Sequence, residues 1–100
     1  MKEAIIFGCG GIGTLTYNII NQKYKVRAWV DNNKELWGKK KNDIEILSPD
    51  EMRVLTEQKE YIIFVAVTFD EFPIECATLS NFKYAVEFFI GLPLNVVGAS

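Results

Sequence analysis

Gly8-Cys9-Gly10-Gly11-Ile12-Gly13 follows directly on the apolar run Ala4-Ile5-Ile6-Phe7. No other feature restricts the fold of this chain as much. A short apolar run stopped by glycine reads as a strand, and G-x-G-x-x-G at a strand exit and helix entry reads as a phosphate-binding turn. Each glycine has its own reason. Gly8 allows a sharp turn, Gly10 allows a phosphate to approach the main chain, and Gly13 lets the helix lie against the strands. Gly11 adds conformational freedom. The helix that starts here offers unpaired N–H groups and a positive dipole end to a diphosphate. The plainer alternative is an empty fold of the same type that keeps its glycines for packing. Cys9 is a small residue in a crowded turn. A helix N-terminus lowers a thiol pKa, so a redox role stands beside inert packing for it.

The remaining elements follow from periodicity and stop signals. Lys2 to Phe7 is the first strand. Gly11 to Gln22 is a helix whose apolar set, Ile12, Leu15, Ile19 and Ile20 with Thr16, is expected to face the core. Lys25 to Val30 is a second strand, ending at the turn formers Asp31-Asn32-Asn33. Residues 34–43 form a polar, lysine-rich connection, and Ile44-Glu45-Ile46 alternates like a short edge strand. Ser48-Pro49-Asp50-Glu51 carries a capping box with proline at the first helical position, and Met52, Val54 and Leu55 are expected to point inward. Tyr61 to Val67 reads as a central strand buried on both faces. A helix is expected from Asp70 or Phe72 to Leu79, and a last strand from Tyr84 to Ile90. Alternating strands and helices joined by right-handed crossovers predict an α/β, doubly wound, Rossmann-like parallel sheet of five strands in the order 3-2-1-4-5. One domain is expected over residues 1–91, with residues 92–100 as a tail.

Asp31 stands roughly twenty residues past the glycines, where an acid accepts hydrogen bonds from a ribose diol. An acid there favours NAD over NADP, because a 2′-phosphate would meet a like charge. The alternative role is capping of the turn after the strand. Asn32 suits either role. Lys34, Lys39, Lys40 and Lys41 follow, as phosphate contacts or as a solvated loop. Trp37 either stacks on a base or closes the loop onto the domain. Ligands of this architecture bind beyond the carboxyl ends of the strands, which brings Thr68 to the mouth of the site. The candidate ligand contacts are therefore Gly8, Cys9, Gly10, Gly11, Ile12, Gly13, Asp31, Asn32 and Thr68.

Composition narrows the function. The 100 residues are 49% hydrophobic and carry a formal charge of −2, which predicts a packed globule and neither a nucleic-acid partner nor membrane insertion. Two cysteines and a start without a signal-peptide pattern fit a reduced, cytoplasmic setting. There is no histidine, so the commonest general base and metal ligand is missing. No tyrosine has a lysine four residues later, so the Tyr-x-x-x-Lys pair of short-chain dehydrogenases is absent. Asp70 and Glu71 are acids near the mouth, with helix capping the plainer role for Asp70.

Ile5 to Gly13, together with Ala28-Trp29-Val30-Asp31-Asn32-Asn33-Lys34, Trp37-Gly38, Ile44 to Glu51 and Tyr61 to Val67, resembles a small Rossmann-like N-terminal domain of bacterial surface-polysaccharide enzymes. The resemblance covers residues 2–90. Such domains precede nucleotide-sugar dehydratases and epimerases, sugar acetyltransferases and some methyltransferases. The resemblance implies NAD or a UDP-type nucleotide sugar as ligand, with Gly8, Gly10, Gly13 and Asp31 as contacts, and catalysis in parts outside this stretch. The expected function is thus a nucleotide-binding domain for an enzyme whose chemistry lies elsewhere. Two alternatives remain: a dimerising module without ligand, associating through Tyr84 to Ile90 or the tail, and a complete NAD-dependent epimerase or dehydratase.

Overall fold

The computed structural model describes residues 2–67 and the backbone of residues 82–84. The elements are β1 (Lys2–Phe7), α1 (Gly11–Ile20), β2 (Tyr24–Val30), a 3-10 turn (Lys34–Leu36), β3 (Lys40–Lys41), β4 (Ile44–Leu47), α2 (Pro49–Gln58), β5 (Ile62–Val65) and β6 (Phe82–Tyr84). They form a six-stranded sheet in the order β3-β4-β2-β1-β5-β6. The expected five-strand, all-parallel sheet is therefore corrected. β4, β2, β1, β5 and β6 pair in parallel, and β3 adds an antiparallel edge strand. The physical reason lies in Asn42 and Asp43, which sit at φ 55° and 60° between the paired residues Lys41 and Ile44. Both residue types tolerate the left-handed region and so close a two-residue hairpin. The short strand Ile44–Leu47 is accordingly not the edge. The expected helix of residues 70–79, most of the expected last strand, the tail and Thr68 lie outside the described residues.

Strand alternation divides the core between two faces. Ile5, Phe7, Ala28, Val30, Leu47, Ile63 and Val65 pack with Met52 of α2, with Leu55 against them. Ala4, Ile6, Trp29, Ile46 and Phe64 pack with Ile20 of α1, with Tyr17 against them. β1 lies between β2 and β5, and Ala4 to Phe7 are fully buried. α2 opens with the predicted capping box: Glu51 N–H donates to Ser48 Oγ at 3.1 Å, and Ser48 N–H to Glu51 Oε1 at 3.0 Å. Val54, expected inward, is exposed.

The rotation of α1 agrees with expectation at Thr16 and Ile20 and departs from it at Ile12, Leu15 and Ile19. Gly13, Thr16 and Ile20 are buried, while Ile12, Leu15 and Ile19 are 39%, 53% and 46% exposed. Gly13 sets this phase. A Cβ there would lie 2.0 Å from the Gly8 carbonyl oxygen and 3.4 Å from the Trp29 ring. The helix makes its closest approach to the strands at that glycine, so positions three, four and seven residues later turn inward with it. Tyr17 thereby stacks on Trp29, with ring centroids 5.6 Å apart. The buried Thr16 hydroxyl donates to Ile12 O at 2.7 Å, which satisfies it within the helix.

Candidate functional site

The carboxyl ends of β1, β2 and β5 open on a cleft of about 570 Å³. Its walls are Gly8 to Ile12, Asp31 to Asn33, and Ala66 with Val67. The cleft brings together the expected Gly8, Cys9, Gly10, Gly11, Ile12, Asp31 and Asn32. Gly13 lies beneath the turn, against Gly8, rather than in the cleft wall.

The glycines divide by what demands them. Gly8 has φ +118°, and a Cβ would stand 2.8 Å from the Ala66 carbonyl oxygen and from Val67 Cγ1. Gly8 and Gly13 are thus required by the fold. A Cβ at Gly10 or Gly11 would meet nothing within 4 Å. Gly10 is the N-cap of α1 and supplies no side-chain cap, and the first turn holds no acidic residue. The amide groups that open α1 therefore have no intrahelical acceptor and stand at a positive dipole end.

Asp31 is fixed against this turn. Its Oδ2 accepts from Cys9 N–H at 3.0 Å and its Oδ1 from Asn33 N–H at 2.9 Å. The Cys9 thiol is a third partner of this carboxylate, which leaves one acceptor direction for a ligand hydroxyl. Trp37 closes the loop: its indole N–H donates to the Asp31 carbonyl at 2.7 Å.

Lys41, expected as a phosphate contact or as part of a solvated loop, instead stands beside the site and binds the glycine turn. Its Nζ donates to Cys9 O at 2.6 Å and to Thr14 Oγ1 at 2.8 Å, and stands 4.9 Å from the centre of the Trp29 ring. Trp29 in turn donates its indole N–H to Lys41 O at 2.9 Å. The adjacent turn formers Asn42-Asp43 were the sequence signal for the hairpin that delivers this lysine.

Burial pushes the Cys9 thiol up to about 11, aided by the Asp31 charge and a hydrogen bond to it, with Lys41 acting in the opposite sense. The thiol is protonated at neutral pH. Burial and the Asp31 carboxylate thus act against the thiolate that a redox role for Cys9 needs. Among the described residues no group of acidic or cysteine side chains has metal-binding spacing, and no helix is long and apolar enough to cross a membrane.

A sheet of parallel strands with helices on both faces and a glycine turn at its carboxyl edge defines a Rossmann-like domain. Solved structures share this fold. The UDP-D-quinovosamine 4-dehydrogenase from Vibrio fischeri is similar at TM-score 0.74 and 17% identity, over 96% of this chain and 93% of that one. RSP, a Rex-family repressor, is similar at TM-score 0.62 and 20% identity, over 69% of this chain. This chain spans 35% of RSP. No curated protein matches the sequence. Residues 1–77 match the C2185-like N-terminal family, and the chain belongs to it.

One expectation is overturned by these likenesses. RSP is also known in complex with β-NADH, and with β-NAD+ and operator DNA, at TM-score 0.61 in each case. A protein with this fold is thus found in complex with operator DNA, and the exclusion of a nucleic-acid partner does not stand. Net charge describes only the stretch over which it is summed, and this chain corresponds to about a third of RSP.

Proposed function

We propose that the cleft binds the diphosphate of a nucleotide, NAD or a UDP-type nucleotide sugar, and that the chain is the binding domain of a polysaccharide-biosynthesis enzyme. The observation that carries this reading is the open space at Gly10. The fold requires glycine at positions 8 and 13, but Gly10 has no neighbour that would exclude a side chain. A group approaching from the cleft gives it a reason to be glycine. The diphosphate would lie against the N–H groups of Gly10, Gly11 and Ile12, with Asp31 accepting from the ribose diol, and with Asn32 and Thr68 as further contacts. The complex of RSP with β-NADH supports the nicotinamide arm, and the UDP-sugar dehydrogenase supports the nucleotide-sugar arm. The Asp31 carboxylate opposes a 2′-phosphate, so NADP is disfavoured. No catalytic role is assigned to any residue of this chain.

Titration calorimetry with NAD+, NADP+ and UDP-sugars tests this. Saturable heat is expected with NAD+ or a UDP-sugar, and weaker binding with NADP+. No heat and no shift in melting temperature with all three, at millimolar ligand, rejects the reading.

A further inference from the structure

Two glycines in succession, Gly10 and Gly11, leave the opening of α1 with more backbone freedom than any other pair of residues would. A turn that is to present N–H groups in one direction needs restraint from outside itself. Three peptide planes are restrained here. Cys9 N–H donates to Asp31 Oδ2, which fixes the Gly8–Cys9 plane. Cys9 O accepts from Lys41 Nζ, which fixes the Cys9–Gly10 plane. Gly10 O accepts from the Thr14 hydroxyl at 3.1 Å and from Thr14 N–H at 2.9 Å, and the same hydroxyl accepts from Lys41 Nζ. The Gly10–Gly11 plane is therefore tied to Lys41 as well, through one intervening side chain.

We propose that Lys41 is a positioning residue for the glycine turn: it holds the Cys9 carbonyl directly and steadies the Gly10 carbonyl through the Thr14 hydroxyl, so that the Gly10 and Gly11 N–H groups are presented together to the diphosphate. In a trans peptide the C=O and N–H point in opposite directions, and the described chain has no cis bond. A carbonyl drawn towards Lys41 directs the following N–H away from it. Lys41 does not border the cleft, whereas Gly10 and Gly11 do. Lys41 is itself held by its place in the β3–β4 hairpin, by the Trp29 indole on its carbonyl and by the Trp29 ring beneath its ammonium. The clamp pairs one negative and one positive side chain across the turn, so the turn is fixed without placing a net charge against the ligand. The role assigned to Lys41 in binding rests on the nucleotide reading of the cleft; the clamp on the turn does not.

The variants K41M and K41R separate the possibilities. Methionine keeps an apolar stem over Trp29 but donates nothing, while arginine keeps the donors. Two readouts are taken on the whole chain: the 15N–1H resonances of Gly10 and Gly11 without ligand, and affinities for NAD+, UDP-glucose, adenosine and uridine. In K41M the Gly10 and Gly11 amide resonances are expected to move or broaden, and affinity for the diphosphate ligand to fall about ten-fold, as loss of a charge-assisted hydrogen bond implies. Nucleoside affinity is expected to stay level, because adenosine and uridine carry no phosphate. K41R is expected to restore both readouts. Unmoved amides in K41M overturn the clamp. Moved amides with undiminished NAD+ or UDP-glucose binding, or with an equal loss for the nucleosides, overturn its role in diphosphate recognition. If the unmodified chain binds none of the probes, the nucleotide reading fails, and the amide resonances still decide whether Lys41 sets the turn.

Discussion

Glycine at position 13 and glycine at position 10 look alike in a motif and differ in what removes them. A methyl group at Gly13 collides with the Gly8 carbonyl, and both partners are main chain, so neither yields cheaply. Gly13→Ala is expected to cost about 3 kcal/mol or more in urea unfolding, at the upper end of overpacking penalties. Gly10→Ala has room and is expected to cost about 1 kcal/mol or less, mainly as a poorer N-cap, while nucleotide binding is lost. Equal destabilisation by the two substitutions would contradict this division. Cys9 supplies a pH-dependent case. Its thiol rises from 9.0 to about 11 on folding, so the folded state holds the proton longer than the unfolded chain. The stability this provides is fully present below pH 9 and is lost as pH climbs towards 11. Alkylation of Cys9, followed by peptide mass spectrometry, should be slow at neutral pH and accelerate only in that alkaline window. Asp31→Asn removes the charge next in size to burial, and should shift the window downwards.

The elements were legible in the sequence wherever one local signal settled them. Ser48 and Glu51 announced α2, and the apolar run before Gly8 announced β1. The misreadings have a common cause in contacts between distant residues. Ile12, Leu15 and Ile19 were expected to face the core with Thr16 and Ile20, yet backbone contact at Gly13 turns the helix so that Thr16 and Ile20 are buried and the other three are exposed. Hydrophobic counting cannot see a steric constraint set by Gly8 and Trp29. The β3 strand was missed because two lysines carry little strand propensity, and only Asn42-Asp43 marked the hairpin. The cleft itself was readable, since glycine spacing and Asp31 name most of it. Lys41 was not, because its role depends on a hairpin reaching 32 residues back in sequence to Cys9. The hairpin can be probed directly. Asp43 holds φ 60°, a conformation that glycine adopts without steric penalty. Asp43→Gly creates Asn-Gly at the turn and is expected to stabilise the chain by about 0.5–1 kcal/mol. A lower melting temperature in that variant would count against the turn geometry.

For the molecule as a whole, the sheet's order sets a gradient of protection. β1 is paired on both sides and buried on both faces, whereas β3 is a two-residue edge. In native-state hydrogen exchange the amides of Ile5 to Phe7 should report the global unfolding free energy, and those of Lys40 and Lys41 should open at lower cost. Similar protection in β1 and β3 would show that the sheet opens as one unit. The same arrangement explains how a short chain supports a cleft: rigid strands deliver Gly8, Asp31 and Ala66 to one edge, and the softer hairpin supplies the lysine that steadies them.

The two indoles of this chain answer to different surroundings. Trp29 is sealed in the core, while Trp37 is half-buried and tethered by its N–H to the carbonyl of Asp31. Light emitted by Trp29 therefore reports on the core and on Lys41 above its ring, and light emitted by Trp37 reports on the loop that carries Asp31. The protein contains its own optical gauge of that loop and needs no attached dye.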